Sequence, residues 1–479
     1  MNDAVISEKP LWTGQDMADA MSARPVRDLP SRVEGISIDS RTLKPGEAFF
    51  AIEGDRVDGH KFATAAAGNG ASVLVVAEEK LASMGRLTVP LLVVSDVLEA
   101  LRSLGMAARA RTKARIVAIT GSAGKTTTKD ALAYVLSKQG ATHASAASFN
   151  NHWGVPLTLA RMPEHTRFGV FEIGMNHHSE ITPLVKMVRP HVSMVTLIAA
   201  AHLGHFKDLD DIAKAKAEIF VGLEDNGTAL INADDVRFGL LSKLAAKYGV
   251  ENISGYGEAK TAPVRLTSFA LLSDCSTIKA KVFDEEVAAK VGVPGRHVVQ
   301  NIVGALGAAS LLGADVQKAA LALDTLSASP GRGQHFKLTI GGGEATLIDE
   351  SYNANPASMQ AALQTMANMK LADGGRRVAI LGDMRELGDH SVKEHAGLAQ
   401  FVLDNGVDEV FLAGPEMAAL RDELADKVAV THHEKTDDLG KALDGQLRAA
   451  DIITVKSSNG TGLSKIVAKL RETYGTAVE

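Results

Sequence analysis

Arg115-Ile-Val-Ala-Ile-Thr-Gly-Ser-Ala-Gly-Lys-Thr-Thr-Thr128 is the stretch on which the fold turns. Its first six residues are β-rich and apolar on both faces, which marks a central parallel strand. Beyond the glycines, Thr127–Gln139 places Leu132, Val135 and Leu136 at helical spacing. Strand, glycine loop and helix in that order is the setting in which backbone N–H groups close on a phosphate. Gly121 and Gly124 carry no Cβ, so the backbone can approach the anion. Lys125 supplies a point charge for β- and γ-phosphates, and the Thr126 hydroxyl is a ligand for Mg²⁺. The helix behind adds its positive N-terminal end. Ser122, Ala123 and Thr127 complete the predicted nucleotide cradle. A full Walker A loop has a glycine six positions before its lysine; that slot holds Ile119, which leaves the shorter G-x-x-G-K-T form. The competing reading is a fortuitous Gly/Lys turn.

Outward from this run the alternation continues. Phe168–Ile173, Val192–Leu197 and Thr228–Asn232 are strand candidates separated by helical stretches, predicting a parallel sheet with right-handed crossovers. Glu172 at the end of the first and His202 after the second fall at the ligand edge of such a sheet. Either completes a metal site there, and either serves structure equally well as a lone polar residue at a strand end. Upstream, Val33–Ile38, Ala48–Ile52, Ser72–Val76 and Leu91–Val94 alternate with helical Lys61–Asn69 and Val97–Arg111. Downstream, the strands Arg377–Leu381, Glu409–Ala413 and Ile452–Lys456 interleave with helical patterns at His390–Asn405, Glu416–Ala425 and Asp437–Ala449. That is a doubly wound, Rossmann-like pattern. Ser327-Ala-Ser-Pro-Gly-Arg332-Gly333 is small, polar and suited to a hinge. The predicted class is therefore α/β in three domains: a small α/β unit over 1–112, a central P-loop-type parallel-sheet ATPase unit over 113–327, and the Rossmann-like unit over 328–479.

Composition closes off other classes. A chain of 479 residues exceeds one hydrophobic core. A net charge of -6 leaves no basic surplus for nucleic-acid phosphates. A single cysteine, Cys275, rules out an intramolecular disulfide. Met1–Trp12 has no apolar signal-peptide core, and the longest apolar run, Val192–Ala201, is too short to cross a bilayer. The expectation is a cytoplasmic protein that enters neither membrane nor nucleic-acid complex.

The motifs have a family's company. Thr120-Gly-Ser-Ala-Gly-Lys-Thr-Thr127, Glu172-Ile-Gly174, His202-Leu-Gly204 and Ala215-Lys216-Ala-Glu-Ile-Phe220 resemble the Mur ligases of peptidoglycan precursor synthesis. Ile38-Asp-Ser-Arg41, Lys44-Pro-Gly46, Ile52-Glu-Gly54 and Asp58-Gly-His60 resemble that family's UDP-sugar-binding domain. Pro294-Gly-Arg-His297 with Asn301 resembles its nucleotide-contacting stretch. The resemblance implies an ATP-dependent amide-bond ligase working through an acyl phosphate, with two Mg²⁺ ions held by Thr126, Glu172, His202 and a carbamylated Lys216. Read without the family, a helical lysine such as Lys216 snorkels to solvent. The resemblance further implies that Arg332 reaches the phosphates on domain closure, that Asp349 meets the ribose, and that Asn301 and Asn353 lie near adenine. Ser40 and Arg41 are implied to hold the UDP end, and Asn150, Asn151 and Asn355 to face substrate. The Asn353/Asn355 pair also reads as a polar turn before Pro356.

Within the family, Asp349-Glu-Ser-Tyr-Asn-Ala-Asn-Pro356 and Leu381-Gly-Asp-Met-Arg-Glu-Leu-Gly388 resemble the branch that adds a dipeptide. The implied substrates are UDP-N-acetylmuramoyl-tripeptide and D-alanyl-D-alanine, handled by a monomer. The third-residue-adding branch has an Asp-Asn-Pro motif with a basic residue, which this chain lacks. A folylpolyglutamate-type ligase shares the central unit but not the first 110 residues. A nucleotide switch, the rival from outside the ligases, gives no reason for Glu172, His202 and Lys216 to accompany the loop. One stretch departs from the family: where Lys-Gly-Ser-Arg is expected, the chain has Lys456-Ser-Ser-Asn459.

Overall fold

The computed structural model describes residues 9–475 apart from 55, 86, 147, 201 and 202. Three sheets organise the chain, and the architecture is α/β throughout. The first has five strands in the order Arg24–Val26, Leu91–Val94, Val73–Ala77, Glu47–Phe50, Gly35–Ser37, parallel except for the first. The helix Val97–Arg111 spans the predicted residues; the Asp96 carboxylate caps it by accepting from the Leu98 and Glu99 amides at 2.7 and 2.9 Å.

The central sheet has nine strands, and Arg115–Thr120 lies well inside it, between Val192–Val195 and Phe168–Glu172. Both faces of that strand are buried, as its sequence predicts. Val117 and Ile119 pack with Leu132, Val135 and Leu136 of the helix Lys125–Ser137 and with Val299, Ile302 and Val303 of the helix Arg296–Leu311. Ile116 and Ala118 belong to the opposite core, with Phe171, Ile181, Val185 and Ile212. Full burial of each such side chain stabilises by roughly 1.5–3 kcal/mol, so the strand that carries the loop is firmly held.

The expectation of an all-parallel central sheet is corrected at one edge. Val264–Leu271, Ser276–Val282 and Glu285–Val291 continue the sheet as an antiparallel meander. Ser276–Val282 buries alternate residues only, so one face meets solvent, which antiparallel strands tolerate.

The third sheet runs Gln334–Ile340, Gly343–Glu350, Ile452–Lys456, Arg377–Gly382, Glu409–Ala413, Ala429–His433. Its first pair is an antiparallel hairpin that the sequence pattern did not expose; the remainder is parallel. The segment between Leu326 and Gln334 has no regular structure beyond a turn, as the Pro/Gly-rich run predicts. Among the described residues, no helix is long and apolar enough to cross a membrane.

Candidate nucleotide and metal site

The phosphate loop joins its strand to the helix Lys125–Ser137 through Gly121 at φ +152° and Gly124 at φ +84°. Neither position has room for a Cβ. At Gly121 it would meet the Thr196 hydroxyl at 1.9 Å, and at Gly124 the Asn301 side-chain oxygen at 2.7 Å. Asn301 therefore sits directly on the loop, as part of the cleft wall.

Lys125 folds back so that Nζ donates to the Gly121 carbonyl at 2.8 Å. Burial pushes its amine below the ordinary lysine value; Glu172 and Glu386 oppose that shift, while the Arg332 charge adds to it. The Thr126 hydroxyl donates to Glu172 Oε2 at 2.7 Å, and Asn150 Nδ2 donates to Glu172 Oε1 at 2.7 Å. Glu172 is 1% exposed. A buried carboxylate at the foot of a phosphate loop, with a hydroxyl against it, is an all-oxygen donor set of the kind Mg²⁺ takes. Among the described residues, no group of three His, Cys, Asp or Glu side chains is placed to hold a metal.

Lys216 is the unexpected member. The helix Leu209–Ala217 turns it inward, and it is 1% exposed, against the snorkelling expected of a helical lysine. No hydrogen-bond or ion-pair partner among the described residues reaches its Nζ. Burial drives its amine well below the usual lysine range, and the Lys125 charge lowers it further. It stands behind the cleft wall rather than in it.

The opposite wall comes from the third sheet's unit, enclosing a cleft of about 400 Å³. The Arg332 guanidinium lies 4.1 Å from the Tyr352 ring centroid, a stacking that aims it at the loop. Tyr352 Oη donates to Ser148 Oγ at 2.8 Å, and Asn355 Nδ2 donates to the Ser122 carbonyl at 3.1 Å. Asn355 also caps the helix Pro356–Ala367, accepting from the Ser358 amide at 2.9 Å. Its side chain thus ties the phosphate loop to that helix. Lys456, 3% exposed, reaches Glu350 at 3.3 Å and the Asn353 carbonyl at 3.0 Å. Burial pushes the His297 imidazole, which lines the cleft from the helix Arg296–Leu311, below its ordinary value. Near the rim, Gly204 N–H donates to the Glu386 carbonyl at 3.2 Å.

Gly121 borders the loop, and Ser122, Ala123, Gly124, Lys125, Thr126, Thr127, Asn150, Glu172, Asn301, Arg332, Asn353 and Asn355 line this one cleft. Five expected residues do not, Lys216 among them. The Asp349 carboxylate accepts from the Ser351 amide and hydroxyl at 3.0 and 2.6 Å, which holds it to its own turn. Asn151 caps the Gly154 amide at 2.9 Å. Ser40 and Arg41 lie beside the first sheet, where Arg41 pairs with Asp39 at 2.6 Å and the Ser40 carbonyl accepts from Asn69. His202 lies outside the described residues. The sequence reading missed Ser148, Tyr352 and Glu350, whose roles depend on contacts between distant segments.

A nucleotide loop on one sheet faced by cations from another defines a nucleotide-phosphate site, and the comparisons with known proteins name the class. Residues 32–119 match the Mur ligase family catalytic domain, 119–309 the Mur ligase middle domain, and 331–459 the Mur ligase glutamate ligase domain. The chain belongs to the Mur ligase family, the ATP-dependent amide-bond ligases. The particular relatives are consistent. It is 33% identical to the UDP-N-acetylmuramoyl-tripeptide--D-alanyl-D-alanine ligase of Escherichia coli, over 92% of this chain and 94% of that one. It is 30% identical to the protein of the same name from Rickettsia prowazekii, over 90% and 94%. A crystal structure of MurF from Acinetobacter baumannii superposes with a TM-score of 0.83 at 28% identity, covering 96% of this chain and 99% of that one.

Proposed function

We propose that this chain joins D-alanyl-D-alanine to UDP-N-acetylmuramoyl-tripeptide at the expense of ATP, in cytoplasmic peptidoglycan precursor synthesis. The observation that carries the reading is the cleft itself. Lys125, Thr126 and Glu172 stand on one wall and Arg332, Asn353 and Lys456 on the other, so a nucleotide's phosphates would be enclosed by groups from both units. Units 1–112, 113–327 and 328–479 are then the UDP-sugar-binding, ATP-binding and dipeptide-binding domains. Ser40 and Arg41 serve the first, and Asn150 and Asn151 face the peptide.

In the reaction the tripeptide's terminal carboxylate oxygen attacks the γ-phosphorus and ADP departs with the bridging electron pair. The dipeptide's free amine attacks the acyl phosphate carbon, inorganic phosphate leaves, and the amine proton is released. Phosphoryl transfer of this kind needs positioning and charge stabilisation more than covalent help. Lys125 and Arg332 supply fixed cations on opposite sides of the transferred group. The donor set fits Mg²⁺: Thr126, Glu172, His202 and the carbamate of Lys216 would hold two ions, which neutralise phosphoryl charge when bound. Lys216 suits carbamylation because the neutral amine, favoured by its burial, is the form that adds CO₂, losing one proton to give a carboxylate-like group.

Phosphate release tests the whole. Turnover is expected with ATP, Mg²⁺, UDP-N-acetylmuramoyl-tripeptide and D-alanyl-D-alanine. Turnover that instead requires a diamino acid, or proceeds with no amine at all, would overturn the assignment.

A further inference from the structure

The incoming dipeptide is a zwitterion whose amine must reach the acyl phosphate and whose carboxylate must be placed somewhere else. Extended, two residues span about 7 Å, so the carboxylate's partner belongs beside the reaction centre rather than in it. The third unit contributes two cations to the cleft itself, and both are committed. Arg332 stacks on Tyr352 next to Lys125. Lys456 is neutralised by Glu350. The loop that follows Lys456 has asparagine at 459 and no basic side chain of its own.

Arg385 brings one to it. The Arg385 amide donates to Ser458 Oγ at 2.9 Å, and its guanidinium Nη2 donates to the Gly460 carbonyl at 2.6 Å. The side chain therefore lies along residues 458–460, whose middle member, Asn459, lines the cleft. It packs so closely that a Cβ on Gly460 would stand 2.1 Å from Nη1. The next residue, Glu386, is near enough for its charge to act on Lys125. Arg385 is exposed, and among the described residues its side chain makes that single hydrogen bond, so most of its five N–H groups remain available. A guanidinium held by one arm, beside the cleft and open to solvent, is a fork shaped for a carboxylate.

We propose that Arg385 binds the terminal carboxylate of the incoming dipeptide and so selects for it. The proposal rests on the D-alanyl-D-alanine reading above and assigns that substrate's recognition to a position outside the phosphate site.

The test compares D-alanyl-D-alanine with its C-terminal amide, which keeps the amine and loses the charge. For the wild-type enzyme, the amide has the higher KM. Arg385→Ala is expected to raise KM for the dipeptide about 10- to 100-fold, the range of one charge-assisted hydrogen bond. It leaves KM for the amide and for ATP within about twofold, and Arg385→Lys falls between. If Arg385→Ala raises KM for dipeptide and amide by the same factor, Arg385 only pins the 458–460 loop and the proposal is wrong. It is equally wrong if the dipeptide KM does not move. A wild-type enzyme that ignores D-alanyl-D-alanine altogether would instead remove the functional reading, and this proposal with it.

Discussion

Substituting Gly388 tests whether the two walls of the cleft must meet for catalysis. Gly388 sits at φ +55° in the segment that faces Gly204, and a Cβ there would lie 2.6 Å from the Gly204 Cα. The obstacle is backbone, so no rotamer change relieves it; one segment must retreat by about 1 Å to restore an ordinary contact of about 3.5–4.0 Å. That retreat breaks the 3.2 Å hydrogen bond from Gly204 N–H to the Glu386 carbonyl. Its loss costs about 1 kcal/mol, and the loosened packing around it about as much again. The left-handed strain of alanine, about 1–2 kcal/mol, burdens open and closed forms alike and drops out of their ratio. A penalty of about 2 kcal/mol on the closed form alone lowers its population, and with it kcat/KM for ATP, about 30-fold. Gly204→Ala is the milder partner: its Cβ meets Gly388 N and Cα at 3.1 and 3.2 Å, so an adjustment of a few tenths suffices and the loss stays under about fivefold. Gly388→Asn tolerates positive φ but carries the same Cβ, and it should match Gly388→Ala. Steady-state phosphate release reads all three. A Gly388→Ala enzyme within twofold of wild type, or one less impaired than Gly204→Ala, would refute the reasoning.

Further outcomes are expected at three residues. Lys216→Met should abolish turnover yet raise the thermal midpoint in CO₂-free buffer, because it removes a buried amine for which the described residues supply no partner. The wild type's folded-state lysine titrates below its unfolded value of 10.5, so the unfolded chain binds more protons between those values. Stability from this group therefore rises with pH across that window, and Lys216→Met should flatten the slope in calorimetry. Lys216→Ala should regain activity with added short-chain carboxylates; full activity without them would exclude the carbamate. Asn150→Ala strips the donor from Glu172 Oε1, which should cost about 1.5–3 kcal/mol in urea unfolding and raise the Mg²⁺ concentration for half-maximal rate. Arg332→Ala should lower kcat about 100-fold or more while nucleotide affinity, measured by calorimetric titration, changes far less.

What the sequence makes legible follows from how local each constraint is. Arg115–Thr120, Thr228–Asn232, Glu409–Ala413 and Ile452–Lys456 carry the bounds read from their apolar runs, since inner strands of a parallel sheet must be apolar on both faces. The phosphate loop is legible for a related reason: its glycines, lysine and threonine are contiguous, and one backbone shape fixes them all. The meander at Val264–Val291 was missed although Ser276–Val282 alternates cleanly, with Thr277, Lys279 and Lys281 exposed between buried neighbours. The signal existed and was of the other period.

The site divides along the same line. Thr126 and Glu172 are 46 residues apart, but Glu172 ends the strand paired in register with Arg115–Thr120 and Thr126 opens the helix that follows that strand's loop, so topology alone brings them together. Tyr352 to Ser148 and Asn355 to Ser122 cross 204 and 233 residues and depend on how whole units dock, which no local pattern encodes. Asp349 shows the converse: a motif residue whose carboxylate is satisfied within two residues by Ser351. Lys216 is the most instructive. Its helix gives it every local reason to reach solvent, and the fold seals it beside a second lysine instead. A buried amine that finds no partner among the described residues destabilises the fold, so its burial is a cost that packing does not explain. Conversion to an anion in that same pocket reverses the sign of its interaction with Lys125 and gives it a cation to bind. The feature least readable from sequence is thereby the one whose energetics argue most directly for chemistry.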